Sequence, residues 1–243
     1  MSLAVSSTEI DYPSNDGQPM SENTLQFEWI VALKGSLDRV FRDDPNVFVA
    51  GDLLWYPEQG NNKLRTAPDA MVALGRPKGY RSSYMQWVEG NIAPQVVFEV
   101  LSPGNRAGEM TRKYEFYNKY GVEEYYLIDP DEHTVDGWTR RSGVLEAVES
   151  IDGWTSPLLG IRFQVSEGEL VKVFQPDGLP FMTYSEVVTE SEESRQLAEQ
   201  LRERADQESA RANQASVRAE QESVRADRLA AKLRELGVDP TQL

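Results

Sequence analysis

The chain has 243 residues, 40 % of them hydrophobic, with five Trp, ten Tyr and eight Phe. That is enough for one generous α/β domain with an appendage, and it excludes a disordered chain. There is no Cys and one His, His133, which removes disulfides, zinc–thiolate sites, cysteine nucleophiles and multi-histidine chemistry.

His133 sits in the polar stretch 129–133 and reads as a loop residue rather than a general base. Catalysis is therefore left to carboxylates, Lys, Tyr or backbone groups. The net charge of −15 argues against indiscriminate nucleic-acid binding, because that affinity comes from neutralising phosphates. The charge is uneven, however. Residues 63–119 hold nine Lys or Arg against five acids, a local +4 that leaves −19 for the remainder. A basic segment in an acidic chain is a candidate anion site, provided folding does not scatter it.

In chain order, residues 1–20 are polar, contain Pro13 and Pro19, and read as a flexible arm. They lack the charged start and apolar run of a signal peptide. No stretch approaches the roughly 18 apolar residues of a membrane span, so the cytoplasm is the expected location. Leu25, Trp29, Leu33 and Leu37 recur at spacing four and predict a helix over 24–41, capped by Ser21 or Asn23. Strands are predicted at 47–50 and 53–56, the second ended by Pro57 and the turn-prone Gly60-Asn61-Asn62.

Two apolar runs follow, 67–74 and 94–101, each marked by one acid, Asp69 and Glu99. Near-continuous apolar runs suit strands covered on both faces. A helix is predicted over 107–120, ended by Gly121, and 124–129 returns as a strand. Strand, helix, strand at this spacing is a βαβ crossover with parallel strands. Segments 135–138, 144–148 and 161–165 read as a β meander.

After Ser185 aromatic residues vanish, and an Arg-Ala pair recurs every seven residues at 204, 211, 218 and 225. With Ala at position a of a heptad (198, 205, 212, 219, 226, then Leu233), position d holds Leu201, Glu208, Ala215, Glu222, Leu229 and Leu236. This is a helix with a weak seam. Two readings stand: a solvated Ala/Arg/Glu helix, or a coiled coil pairing two chains into a homo-oligomeric dimer. The resulting organisation is an arm at 1–20, a domain at 21–190 and a helical tail at 191–243.

Glu99 is the physical oddity, because a strand buried on both faces buries its carboxylate. An isolated buried charge is costly, so the group must pair, protonate or line a cleft. If the two apolar strands are neighbours, Asp69 and Glu99 form a hard oxygen pair suited to Mg²⁺ or Mn²⁺, and Lys113 on the next helix points at the same place. Plainer readings exist for each: a turn-forming Pro-Asp, a Glu99 salt bridge to Arg or Lys, a solvated Lys113.

The ordered series Pro68-Asp69, Glu99-Val100-Leu101-Ser102-Pro103, Lys113, Tyr117 and Gly121-Val122-Glu123-Glu124-Tyr125 resembles the Uma-two family of restriction endonucleases, a branch of the PD-(D/E)xK superfamily. The resemblance covers roughly residues 20–185. It implies an α/β (α+β) restriction-endonuclease-like fold, a mixed central sheet flanked by helices, with the helical tail appended. By that likeness Asp69 matches the superfamily's first acid and Glu99 its second. The superfamily's Lys normally lies two residues after the second acid, where this chain has Leu101, and Lys113 fits the helix-borne lysine of this branch. Glu28 matches the acid many such nucleases carry on their first helix.

The implied activity is Mg²⁺- or Mn²⁺-dependent hydrolysis of DNA phosphodiesters, with Asp69 and Glu99 as metal ligands and Lys113 at the phosphate. Arg65, Arg76, Lys78, Arg81 and Arg106 are candidate phosphate contacts. The alternative is a catalytically silent scaffold of the same fold, oligomerising through its tail.

Overall fold

The computed structural model describes residues 10–15, 17, 19–104 and 107–235. Helix α1 (Thr24–Val40) begins where the Asn23 side chain accepts from the Gln26 backbone N–H. That bond satisfies one of the first-turn donors that a helix leaves without a partner. Strands β1 (Val47–Gly51), β2 (Trp55–Tyr56), β3 (Ala70–Leu74), β4 (Tyr84–Met85) and β5 (Val96–Val100) follow. Helix α2 (Ala107–Tyr120) leads into β6 (Glu124–Asp129), β7 (Thr134–Arg141), β8 (Val144–Ala147), β9 (Arg162–Gln164) and β10 (Lys172–Phe174), and α3 (Tyr184–Glu235) ends the series.

The central sheet has six strands in the order β1-β3-β5-β6-β7-β8. All its neighbours are antiparallel except β5 and β6, which α2 joins as a parallel pair. This is the crossover that the sequence predicts, and the sheet is the mixed, helix-flanked one that the resemblance implies.

Alternation along the strands divides the core into two layers. Val49, Val72, Phe98 and Ile128 pack on one side with Leu33 and Leu37 of α1. Ala50, Met71, Ala73, Val97 and Tyr125 pack on the other with Tyr117 of α2. Burial is complete at Leu33, Leu37, Met71 and Val97, and truncating such a leucine to alanine costs roughly 2–5 kcal/mol.

Two short strands escape the sequence patterns. β4 pairs in parallel with β2, and β10 pairs with β9, so each forms a separate two-stranded sheet. The expected meander is therefore corrected. β7 and β8 belong to the central sheet, while β9 leaves it for β10. A two- or three-residue strand has too few positions to show a period.

Part of the expected arm is held in place. The Tyr12 ring lies 5.2 Å from that of Tyr56 and 5.0 Å from that of Trp87. The Tyr56 hydroxyl donates to the Pro13 carbonyl at 2.7 Å, and the Asn62 amide to the Asp11 carbonyl at 2.8 Å. Aromatic burial gives this segment a tether that its polar composition conceals.

The chain divides after Ser185 into two compact units. In the second, α3 is continuous to Glu235, and Leu197, Leu201, Val217, Val224 and Leu229 are all exposed on it. Leu236, the last d position, lies outside the described residues. No helix among the described residues is long and apolar enough to cross a membrane.

Candidate active site

Asp69 directly precedes β3, and Glu99 is the fourth residue of β5. The antiparallel register sets Ala70 opposite Phe98, so one step further sets Asp69 opposite Glu99. Both then project to the α2 side, because successive side chains alternate and Phe98 and Ala70 face α1. Asp69 Oδ2 accepts from the Val100 backbone N–H at 2.6 Å, which fixes the carboxylate against the neighbouring strand.

Glu99 is 1 % exposed. Lys113 Nζ donates to its Oε2 at 2.7 Å, and the Tyr117 hydroxyl donates to its Oε1. Lys113 and Tyr117 lie four residues apart, one turn of α2, so a single helix face delivers both donors. The plain reading of Glu99 as a salt-bridged acid is thus met, and its partner is Lys113 itself.

The electrostatics are those of a crowded acid pair. Burial first, and Glu99 next, push the Asp69 carboxyl up to about 8, against the opposing pull of Lys113 and the Val100 N–H. At Lys113 burial works to lower the pKa, but Glu99 and then Asp69 outweigh it, and the ammonium is held above its ordinary value. Burial, then Glu99, raise the Tyr117 hydroxyl well above the usual range, so it stays a neutral donor.

Asp69 and Lys113 open on a cavity of about 600 Å³, whose wall also includes Glu22, Gln26, Asp52, Lys63, Arg65 and Glu109. The Gln26 side chain donates to the Val100 carbonyl at 3.0 Å, and the Ser102 hydroxyl donates to Glu22. The N-terminal turn of α1 is thereby tied to the end of β5 beside the acid pair. Among the described residues no group of three or more His, Asp or Glu side chains is gathered as a metal cage.

The remaining predicted residues divide. Glu28 is exposed on α1 and does not line the cavity; Glu22 and Gln26 occupy the place expected of it. The buried stripe of the helix runs through Gln26, Ile30, Leu33 and Leu37 and leaves Glu28 off it, whereas the stripe expected from the sequence ran through Leu25, which is exposed.

Arg65 lines the cavity, with Nη1 donating to the Asn62 carbonyl at 3.3 Å. Arg76, Lys78 and Arg81 follow the opposite end of β3 from Asp69 and are used structurally. Arg76 donates to the Glu89 carbonyl at 2.6 Å. Lys78 donates to the Arg42 carbonyl at 2.8 Å and also to that of Phe41. Arg81 forks onto Glu89 at 2.6 and 3.1 Å. Folding scatters the basic segment, as it was free to do. Arg106 lies outside the described residues.

A mixed sheet with two acids meeting at neighbouring strand ends, under a helix that brings a lysine, is the layout of a restriction-endonuclease-like domain. The chain belongs to the Uma2 family, described as "Putative restriction endonuclease", which matches residues 16–166. Among solved structures it is similar to a "putative nuclease belonging to DUF820" from Anabaena variabilis ATCC 29413. The identity is 20 % over 59 % of this chain and 79 % of that one, with a TM-score of 0.43. Comparison with curated proteins gives no match.

Proposed function

We propose that the chain is an endonuclease that hydrolyses DNA phosphodiester bonds at the cavity lined by Asp69 and Lys113, beside the buried Glu99, with Mg²⁺ or Mn²⁺ held by the two carboxylates. The observation that carries this reading is the convergence of the three side chains on one side of the sheet. Membership of the Uma2 family supports it.

The donor set fits such an ion. Asp69 is pushed up to about 8 partly by the neighbouring Glu99, and a dication shared by the pair favours both ionised forms. Two adjacent carboxylates, with no third gathered beside them into a cage among the described residues, suit Mg²⁺, which keeps several waters and takes the rest of its ligands from substrate phosphate. The bonds that Glu99 already accepts do not exhaust it, since each carboxylate oxygen has two lone pairs. When bound, the ion supplies Lewis-acid activation of the phosphate and a water that ionises near neutral pH.

The chain's own groups do the rest. The Val100 N–H holds Asp69 in one orientation, while Lys113 and Tyr117 do the same for Glu99 from α2. The Lys113 ammonium lines the cavity beside the acids and offsets the charge that builds on the phosphate during displacement. Lys63 and Arg65, on the same wall, hold the flanking backbone of the substrate.

One observation favours a second reading. Both oxygens of Glu99 are already partnered within the protein, as they would be in a silent scaffold that retains the fold. Plasmid nicking separates the two. The nuclease reading expects cleavage with Mg²⁺ or Mn²⁺ that chelation stops and Asp69→Asn abolishes. Absent cleavage by a protein that is folded supports the scaffold, and cleavage that chelation does not stop overturns the metal-dependent reading.

The tail reading accompanies either one: α3 pairs two chains through its heptad of Ala and Leu.

A further inference from the structure

A second concavity lies on the same side of the sheet, across α2 from the acid pair. It is a groove of about 360 Å³, lined by Met110 and Tyr114 of α2, Tyr125 and Leu127 of β6, and Asp136 and Trp138 of β7. Its size falls within the roughly 300–1,000 Å³ usual for small-ligand sites.

The lining is aromatic and polarised. Trp138 stacks on Tyr125 with ring centroids 4.9 Å apart and planes 17° from parallel, and Tyr114 adds a third ring 5.8 Å from that of Trp138. The Tyr125 hydroxyl is buried and has no hydrogen-bond partner among the described residues. Leaving such a group unsatisfied forfeits its hydration with nothing in return. Burial first, then Glu99, Asp69 and Asp136, raise its pKa well above the usual range. Asp136 is exposed at the rim and takes part in no ion pair among the described residues.

The strand registers connect this groove to the acid pair. Glu99 is opposite Leu127, and Leu127 is opposite Asp136. Asp69, Glu99, Leu127 and Asp136 therefore form one row across four strands, all on the α2 face. With neighbouring strands roughly 4.8 Å apart, Asp136 lies two strands, about 10 Å, from Glu99. The first turn of α2 separates the two, with Glu109 on the cavity and Met110 on the groove, so the base belongs to a nucleotide neighbouring the one whose phosphate lies at the acid pair.

We infer that this groove takes one unstacked nucleobase of the DNA strand, beside the phosphate held at Asp69 and Glu99, and selects bases that present an amino group. This rests on the nuclease reading for the identity of the neighbouring phosphate. Aromatic and Met surfaces stack a base whatever its identity, because every base has a π-face. A carboxylate accepts from the amino group of cytosine, adenine or guanine and finds no amino donor on thymine. Asp136 supplies that discrimination at the rim of the groove.

The test uses full-length protein in EDTA, so that binding is read without cleavage. Five-nucleotide single strands of dC, dA or dT are titrated, with tryptophan fluorescence and end-label anisotropy followed together. The expected result is that dC and dA bind several-fold more tightly than dT and quench fluorescence, and that Trp138→Phe removes most of the quench. Asp136→Ala, which deletes the acceptor that Asn would keep, should bring dC and dA to the dT affinity. Equal affinity for the three strands, or an Asp136→Ala protein that keeps the preference, overturns the inference. Asp69→Asn is the control that separates the two readings. Base preference retained by Asp69→Asn, with or without nicking by wild type, supports the groove on its own terms. Nicking without any base preference leaves the nuclease reading intact and removes this one.

Discussion

Lys113 Nζ lies 2.7 Å from Glu99 Oε2, and this ion pair fastens α2 to the central strand of the sheet at its least exposed acid. The side chains are 20 % and 2 % exposed, so solvent screens the pair weakly. Removing one partner of such a pair leaves an uncompensated charge indoors, at a cost of roughly 3–5 kcal/mol. Lys113→Met should lower stability to urea by that order, and Glu99→Gln combined with Lys113→Met should recover much of it. A Lys113→Met protein as stable as wild type would show that water or another cation reaches Glu99. Under the proposed function the double variant remains inactive although stable, which separates the chemical part of the Glu99–Lys113 pair from its structural one.

Tyr117 gives the second half of the same support. Its hydroxyl donates to Glu99 Oε1 from a wholly buried ring that also packs against Tyr125. Tyr117→Phe keeps the ring and deletes only the donor, so about 1–3 kcal/mol of stability should be lost. Nicking should fall by tenfold or more at saturating metal while the apparent affinity for DNA holds, since the orientation of Glu99 is altered and no phosphate contact is. Equal losses of rate and DNA affinity would assign Tyr117 to binding instead.

The Asp69 carboxyl predicts a pH dependence whose sign is opposite to that of an ordinary salt-bridged acid. Its folded value, about 8, lies above the ordinary 3.8, so the folded chain holds this proton more tightly than the unfolded chain. Stability in EDTA should then be greatest below about pH 4 as far as this group is concerned. It should fall as pH rises toward about 8, by at most about 1.4 kcal/mol per pH unit. Asp69→Asn should flatten that slope. Added Mg²⁺ should release a proton on binding below pH 8, with affinity rising up to that pH and levelling above it. Calorimetry in buffers of different ionisation heat reads the proton directly, and a proton count of zero at pH 6.5 contradicts this account.

How far the sequence speaks depends on the length of each element. The 24–41 helix and the 94–101 strand carry enough positions for their periods to be read, and both form with ends shifted by a few residues. Asp69 and Glu99 stood out because each is a lone acid in an apolar run, a local contrast that needs no tertiary knowledge.

Pairing was legible only in part. The βαβ spacing gave the parallel β5–β6 pair, whereas β9 turning away to β10 follows from contacts between segments that no local pattern announces. Glu28 was misplaced because the apolar spacing pointed to a stripe through Leu25 and Trp29, while the helix buries the polar Gln26 with Ile30 and Leu33 and turns Glu28 outward. The fate of Arg76, Lys78 and Arg81 was not legible either. Nothing in their spacing tells that three cations spend themselves on backbone carbonyls and Glu89.

The tail offers a prediction about assembly. Every side chain of α3 from Glu186 to Leu229 is exposed, so the second unit buries no core of its own along this length. Truncation after Glu190 should leave the melting transition of the first unit within about 2 °C, since nothing buried in its core is removed. Sedimentation velocity should show the full chain as a dimer and the truncated chain as a monomer. The seam of Ala with Glu208 and Glu222 at d makes that dimer weak and dissociable at low concentration. A truncated chain that keeps the association state of the full chain would move the interface into the first unit.

The division of the basic residues yields a differential test of DNA binding. Lys63 and Arg65 line the cavity beside Asp69 and Lys113, whereas Arg81 forks onto Glu89 and lies 3.9 Å over the Phe48 ring. Arg81→Ala strips a buried acid of its partner and should lower stability by roughly 3–5 kcal/mol. It should leave the salt dependence of DNA binding unchanged. Arg65→Ala and Lys63→Ala should do the reverse, with little change in stability and a drop of about 0.9 in the slope of log affinity against log salt for each phosphate no longer neutralised. The overall charge of −15 makes the measurement sensitive, because repulsion from the rest of the surface leaves binding dependent on a few local cations. Chelation should weaken binding further, since it removes the cation through which the acid pair attracts the scissile phosphate. If Arg81→Ala lowers the salt slope while Arg65→Ala and Lys63→Ala do not, DNA approaches the opposite end of the sheet and the cavity at Asp69 is not its site.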